Sequence, residues 1–304
     1  MKENAPHRAR SVAEFGQLAG RVFVAEEIAS SIQSYRPRPS DIVISPFSKC
    51  GTTWLQQLFH TLRTRGDMDF DDICRVVPWI ETARALGLDL EAPQRAEPRG
   101  FKSHLSYDQL PKGARYVVSL RDPKDAMVSL YRFMEGWFLE PGAVSIADFV
   151  QMRLAGGGDG VSYWQHLISW WEQRDNPDVL LLSYEHMTAD PAVHVCKLAA
   201  FCGIALDDAL LALTLEKSSF AFMLQHKDRF DEAMLRTLSE QRCNLPVGSD
   251  SAKVRKGGVG GHRHELPDDV SAAMDTVWTN VIAPRLGYAD YASLEAELRQ
   301  RNAT

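Results

Sequence analysis

Three short segments of this 304-residue chain place chemically capable side chains at spacings that suit a phosphate-bearing ligand. The first is Ser48-Lys49-Cys50-Gly51-Thr52-Thr53-Trp54. Gly51 lets backbone approach an anion, Thr52 and Thr53 offer hydroxyls, and Lys49 supplies a full positive charge. The second is Phe101-Lys102-Ser103-His104-Leu105, an imidazole two residues after an ammonium. An imidazole titrates near neutrality and suits proton abstraction, while a fixed ammonium suits charge that develops on a departing group. The third is Arg121-Asp122-Pro123-Lys124-Asp125 running on to Ser129. Arg121 offers a planar fork to phosphate oxygens and Ser129 a hydroxyl. Of nine histidines, only His104 sits in such a segment.

The surrounding elements fit these roles. Asp41–Ser45 (DIVIS) is a short run rich in β-branched residues, a buried parallel strand by pattern. After it, Trp54, Leu55, Leu58, Phe59 and Leu62 share one face of a helix, so the Lys49 loop lies between a strand and a helix N-terminus. There, unsatisfied N–H groups and the helix dipole favour an anion. Arg115–Leu120 is a second strand, followed by a helix capped by Asp122 with Pro123 in its first turn. Val179–Ser183 is a third strand, Gly100–Ser103 a short fourth, and Asp190-Pro191 opens a helix ending at Gly203. Strands alternating with helices predict an α/β domain with a mostly parallel central sheet flanked by helices. Residues 1–15 read as a polar N-terminal lead, with a single domain over 16–304. The glycines at 156–158 and 160 predict a loop bordering a pocket, and residues 244–264 either a functional lid or a disordered stretch. Residues 267–287 predict one helix with Trp278 and Val281 on a shared face.

Lys49 precedes Gly51 by two positions and no earlier glycine is present, so the loop is not a Walker A motif. Instead, Lys49-Cys50-Gly51-Thr52-Thr53-Trp54 resembles the K-S-G-T-T-W loop of the PAPS-dependent sulfotransferases, with Cys50 where Ser is usual. PAPS is 3′-phosphoadenosine-5′-phosphosulfate, and PAP is the product left after sulfonate transfer. Three further segments match in order, so the resemblance spans roughly residues 40 to 265. Arg121 to Ser129 is similar to the family's 3′-phosphate segment, Lys102-Ser103-His104 to its K-T-H, and Arg255-Lys256-Gly257 to its closing R-K-G. After Gly257 the chain departs from the family, with Gly261-His262 where Asp-Trp is usual.

The resemblance implies a P-loop-kinase-like sulfotransferase fold, PAPS as co-substrate and no metal. It implies that residues 49–54 hold the 5′-phosphate, with Trp54 on the adenine. It assigns the 3′-phosphate to Arg121, Ser129, Arg255, Lys256 and Gly257, and adenine contacts to Tyr184, Ser218 and Phe220, the last stacking opposite Trp54. His104 would be the base, Lys49 and Lys102 the charges on the leaving PAP, and Ser129 a restraint on Lys49. Phe47, Pro78, Trp79 and Phe138 are the candidate walls of the acceptor pocket. An apolar pocket would take a phenol, steroid, lipid-like alcohol or glycolipid through its hydroxyl, less readily an amine.

Composition sets outer bounds. A net charge of −6 argues against a general nucleic-acid binder, but it permits a compact basic pocket. The longest apolar runs are too short to span a bilayer, and the first residues lack the apolar core of a signal peptide. Five scattered cysteines show no zinc-like spacing, and a cytoplasmic location is the simplest expectation. Two rival readings remain: a P-loop nucleotide kinase or phosphoryl transferase, which needs a metal-holding carboxylate, and a non-catalytic PAP-binding relative.

Overall fold

In the computed structural model, residues 5–156, 162–248, 253–254 and 257–303 are described. Four strands, β1 (Ile42–Ile44), β2 (Gly100–Lys102), β3 (Arg115–Leu120) and β4 (Val179–Ser183), form one sheet in the order β2-β1-β3-β4. Every pairing is parallel: Val43 lies opposite Phe101 on one side and Tyr116 on the other, and Leu120 lies opposite Ser183. The central strand is wholly buried, which is why it reads as Ile-Val-Ile without alternation. Helices supply the cover. The Pro191–Cys202 helix touches β4, the Thr52–Thr64 helix touches β1 and β2, and Trp170 and Trp171 of the Tyr163–Trp171 helix are fully buried.

Parallel pairing brings the C-terminal ends of all four strands to one edge, where α/β sheets collect ligands. The turns that leave that edge hold Lys49, His104, Arg121 and Tyr184. The expected caps are present. Asp122 accepts from the Lys124 and Asp125 amides at 2.8 and 3.3 Å, and Gly203 ends its helix in the left-handed region at φ 69°.

Two expectations change. The N-terminal segment is packed well before residue 16. Ala9 is fully buried and exchanges backbone hydrogen bonds with Phe138 and Glu140, each 2.8 Å, and a helix already runs from Val12 to Val22. Its polar look reflects the outer faces of that helix, while Phe15, Leu18 and Val22 turn inward. The helix expected over 267–287 contains a π-helical turn at Trp278–Ile282. The wider turn separates Trp278 (4% exposed) from Val281 (44% exposed) and buries Ile282 instead.

Candidate active site

The Lys49–Gly51 loop lies between β1 and the helix that starts at Thr52. Lys49 (φ 68°) and Gly51 (φ 97°) both adopt left-handed backbone, and the helix at Thr52 starts with no side chain capping its first turn. Its amides therefore stay available to an anion. Gly51 is required by space as well as by φ, since an added Cβ would lie 3.0 Å from Cδ2 of Tyr184. Buried polar atoms that lack a partner also cluster here: Thr52 Oγ1, Trp54 Nε1 and Arg121 Nε. A ligand rich in phosphate oxygens is what such donors need.

The loop borders a cavity of about 660 Å³. Lys49, Gly51, Thr52, Thr53 and Trp54 line it together with Lys102, His104, Arg121 and Ser129. Tyr184, Ser218, Phe220 and Gly257 line it too, so one fold brings together segments far apart in sequence. Trp54 meets Tyr184 edge to face at 6.0 Å. Phe220 borders the same cavity and packs against Gly257, where an added Cβ would come within 2.7 Å of the Phe220 ring. The Ser218 hydroxyl donates to the Thr214 carbonyl at 2.6 Å, closing its own helix.

Arg121 leaves the end of β3 and ties two loops together. It donates to the Lys49 carbonyl at 2.8 Å and the Gly258 carbonyl at 3.1 Å, with its guanidinium 4.3 Å from the centre of the Tyr184 ring. Asp125, in the first turn of the next helix, accepts from the Gly260 amide at 2.6 Å and the His262 amide at 2.9 Å. It also accepts from His262 Nδ1 at 2.8 Å. Gly261-His262 thus keeps the segment after Gly257 docked on Asp125, without the usual Asp-Trp. Arg255 and Lys256 lie outside the described residues, as do Gly157, Gly158 and Gly160.

His104 is held from three sides. Its amide donates to Glu81 Oε1 at 2.7 Å, its Nδ1 lies 2.7 Å from the Pro46 carbonyl, and its ring meets Trp79 edge to face at 5.0 Å. A carbonyl can only accept, so Nδ1 carries the hydrogen and Nε2 keeps a lone pair. Burial first, then Lys102, hold the imidazole pKa well below its ordinary value of 6.5, so the ring is neutral at physiological pH. Lys102 behaves oppositely. Burial alone would lower its pKa, but the Glu232 carboxylate facing it overrides that and holds it raised. Lys102 also lies over the Trp79 ring at 3.7 Å. Lys49 is pushed down to about 7 by burial and then by Lys253, and its ammonium sits 4.3 Å from the centre of the Phe133 ring.

Several expected positions are corrected. The Cys50 side chain is turned inward, with burial raising its thiol pKa to about 12, and it does not line the cavity. Its carbonyl accepts from Ser119, so Cys50 shapes the loop through its backbone. Pro78 contributes a carbonyl to the Lys102 amide (2.7 Å), which extends the β2 edge and seats Trp79 beside Lys102. Its side chain lies outside this cavity. Phe138 is fully buried against Phe15 and Trp137 in the core. Phe133 and Trp137 line the cavity, as do Phe47 and Trp79. Among the described residues Ser129 makes no hydrogen bond to Lys49, whose ammonium is drawn to Phe133 instead.

The sequence reading missed Glu232 and Lys253, which pair inside the cavity. For the aromatic lining it named Phe138 rather than Phe133, although a signal for Phe133 existed: Asp125, Ser129 and Phe133 recur every four residues, and all three line the cavity. Nothing local marks Glu232, which comes from a distant turn.

A family model for the sulfotransferase domain matches residues 39–284. Sulfotransferase 1E1 of Bos taurus is 31% identical over 258 residues, covering 81% of this chain and 85% of that protein. Luciferin sulfotransferase of Photinus pyralis is 26% identical, covering 83% of this chain and 74% of that protein. Among solved structures, a mouse sulfotransferase complexed with PAP superposes with TM-score 0.68 at 22% identity, covering 93% of this chain and 96% of the other. Retinol dehydratase in complex with androsterone and PAP superposes with TM-score 0.69 at 19% identity, covering 90% and 94%. These structural likenesses establish a shared fold.

Proposed function

The chain belongs to the sulfotransferase family and is a PAPS-dependent sulfotransferase, and we propose that His104 is the base of its transfer reaction, with Lys49 and Lys102 as the charges that receive the leaving PAP. The observation that carries this reading is the orientation of His104. Its Nδ1–H is spent on Pro46, while a neutral Nε2 is free on a ring that lines the same cavity as Lys49 and Lys102.

PAPS supplies the sulfonate and PAP as leaving group. The acceptor hydroxyl gives its proton to His104 Nε2 as its oxygen forms a bond to sulfur and the bond from sulfur to PAP breaks. Lys102, kept protonated beside Glu232, and Lys49 stabilise the negative charge that appears on PAP. Lys49, Gly51, Thr52, Thr53, Arg121 and Gly257 are the donor's phosphate-binding residues in this reading. Tyr184 and Phe220 border its adenine, and Arg255 and Lys256 complete the 3′-phosphate contacts. Asp125 joins them as a positioning residue, holding the Gly260–His262 backbone.

The acceptor is a small molecule, and the cavity favours an apolar or aromatic alcohol. Phe47, Trp79, Phe133 and Trp137 line it together with His104, and Trp79 meets the His104 ring edge to face. One relative named for luciferin, and a fold neighbour holding androsterone, fit that class. Among the described residues no helix is long and apolar enough to cross a membrane, and all five cysteines are free. A cytoplasmic setting agrees with those thiols.

Replacing His104 by Ala tests the assignment. Loss of a positioned base lowers kcat by about 10² to 10⁴-fold. PAP affinity, read by calorimetry, should stay within about twofold, because the adenosine and phosphate contacts lie elsewhere. Turnover close to wild type would remove His104 from the mechanism. Wild-type protein that binds PAP yet turns over no alcohol or phenol in a broad acceptor panel would instead favour the non-catalytic relative.

A further inference from the structure

Three lysines, Lys49, Lys102 and Lys253, line the cavity, and two of them, Lys102 and Lys253, pair with one carboxylate, Glu232. The Glu232 side chain is 5% exposed and touches both Lys102 and Lys253, which are 1% and 10% exposed. Its backbone lies in the left-handed region at φ 51°, ψ 48°, a conformation that a residue with a Cβ rarely adopts. Glu232 stands at the N-cap of the Ala233–Cys243 helix, yet its carboxylate makes no capping bond there. The chain therefore holds an unfavourable backbone conformation with the carboxylate committed to the cavity's lysines. Unfavourable conformations maintained at a cavity point toward function.

The physical need is clear. Buried ammonium groups without a counter-ion are costly, and the empty site would hold several. A single carboxylate between two lysines offsets that cost and leaves the cluster cationic overall. A donor whose 5′ end is anionic then meets a site in which Lys102 is already paired.

We propose that Glu232 is a resting counter-ion of the donor site: it holds Lys102 while the site is empty, yields Lys102 to the 5′ anion of the bound donor, and retains Lys253 as its partner. Lys253 is what makes the exchange inexpensive, because the carboxylate keeps one ammonium throughout. Glu232 is a positioning residue in this scheme, acting through Lys102. The inference rests on the placement of the donor's 5′ end at Lys49 and Lys102.

The test compares binding of PAPS with that of adenosine 3′-phosphate, which has no 5′ anion, in the absence of acceptor. In Glu232→Gln, the affinity for PAPS relative to adenosine 3′-phosphate should rise about tenfold, as expected for removing a competing close charge. In Lys253→Met the relative affinity should fall several-fold, because Glu232 then directs its whole charge at Lys102. An unchanged ratio in Glu232→Gln, or equal changes for both ligands, would overturn the proposal and leave Glu232 a structural residue. If Glu232→Gln does not fold, Lys253→Met decides alone, and a ratio that stays constant or rises refutes it. Wild-type protein that binds neither ligand would refute the donor site itself; PAPS binding with constant ratios refutes only the exchange.

Discussion

Raising the pH from about 6 to about 8 should strip most of the charge from Lys49 in the ligand-free protein, and binding of PAP should put it back. Burial, reinforced by Lys253, pushes the Lys49 pKa from 10.5 down to about 7. At that value the group is about half protonated at pH 7 and about one-tenth protonated at pH 8. A phosphate seated against the ammonium favours its charged form. Binding then takes up close to no proton at about pH 6, about 0.5 at pH 7 and about 0.9 at pH 8. Affinity consequently holds below about pH 7 and falls by up to about tenfold per unit above it, until the pKa of the complex is reached. The same depression has the opposite consequence for folding. Between about 7 and 10.5 the unfolded chain holds more protons at this site, so Lys49 makes the empty protein more stable as pH rises.

Calorimetry of PAP binding in buffers of different ionisation enthalpy reads the uptake directly. Near pH 8 the ligand's phosphates are already ionised, so the signal belongs to the protein. Lys49→Met should abolish most of it while Lys253 and His104 remain. Uptake below about 0.3 proton at pH 8, or the same uptake in Lys49→Met, would refute the assignment of a depressed pKa to Lys49.

Gly51→Ala should weaken PAP binding at least tenfold and cost about 1 to 3 kcal/mol of stability, because φ 97° and the Tyr184 ring leave no place for a Cβ. Titration calorimetry and urea unfolding report the two effects. Phe138→Ala should cost about 3 to 5 kcal/mol in urea unfolding and leave PAP affinity unchanged, as expected of a fully buried core ring. A stable Phe138→Ala protein with altered acceptor selectivity would return that residue to the pocket wall.

Much of the cavity lining contributed by the segments at Lys49, Lys102 and Arg121 was legible in the sequence because each segment's requirements are local. A loop between a strand and a helix needs Gly51 for backbone approach and Lys49 for charge, and both lie within a few residues of each other. Arg121 follows β3, Ser129 lies two turns into the next helix, and Asp122-Pro123 marks that helix start. The acceptor side was read less well. Whether Phe133, Trp137 or Phe138 faces the cavity depends on how the helix ending at Glu135 hands over to the following turn, and Phe138 went to the core.

The sequence by itself determined the alternation of strands and helices, the Lys49–Trp54 loop, the Lys102–His104 pair and hence the family. Those features are written in residue type and short-range spacing. Tertiary structure decided the electrostatic state of the site. It neutralised His104 by burial, lowered Lys49, kept Lys102 charged through Glu232, and docked Gly260 and His262 on Asp125. Each of these depends on desolvation and on charges brought together from distant positions, and Lys102 and Glu232 stand 130 residues apart along the chain. No local pattern encodes a field that exists only once the sheet edge, the helix at Thr52 and the turn at Glu232 enclose the same space.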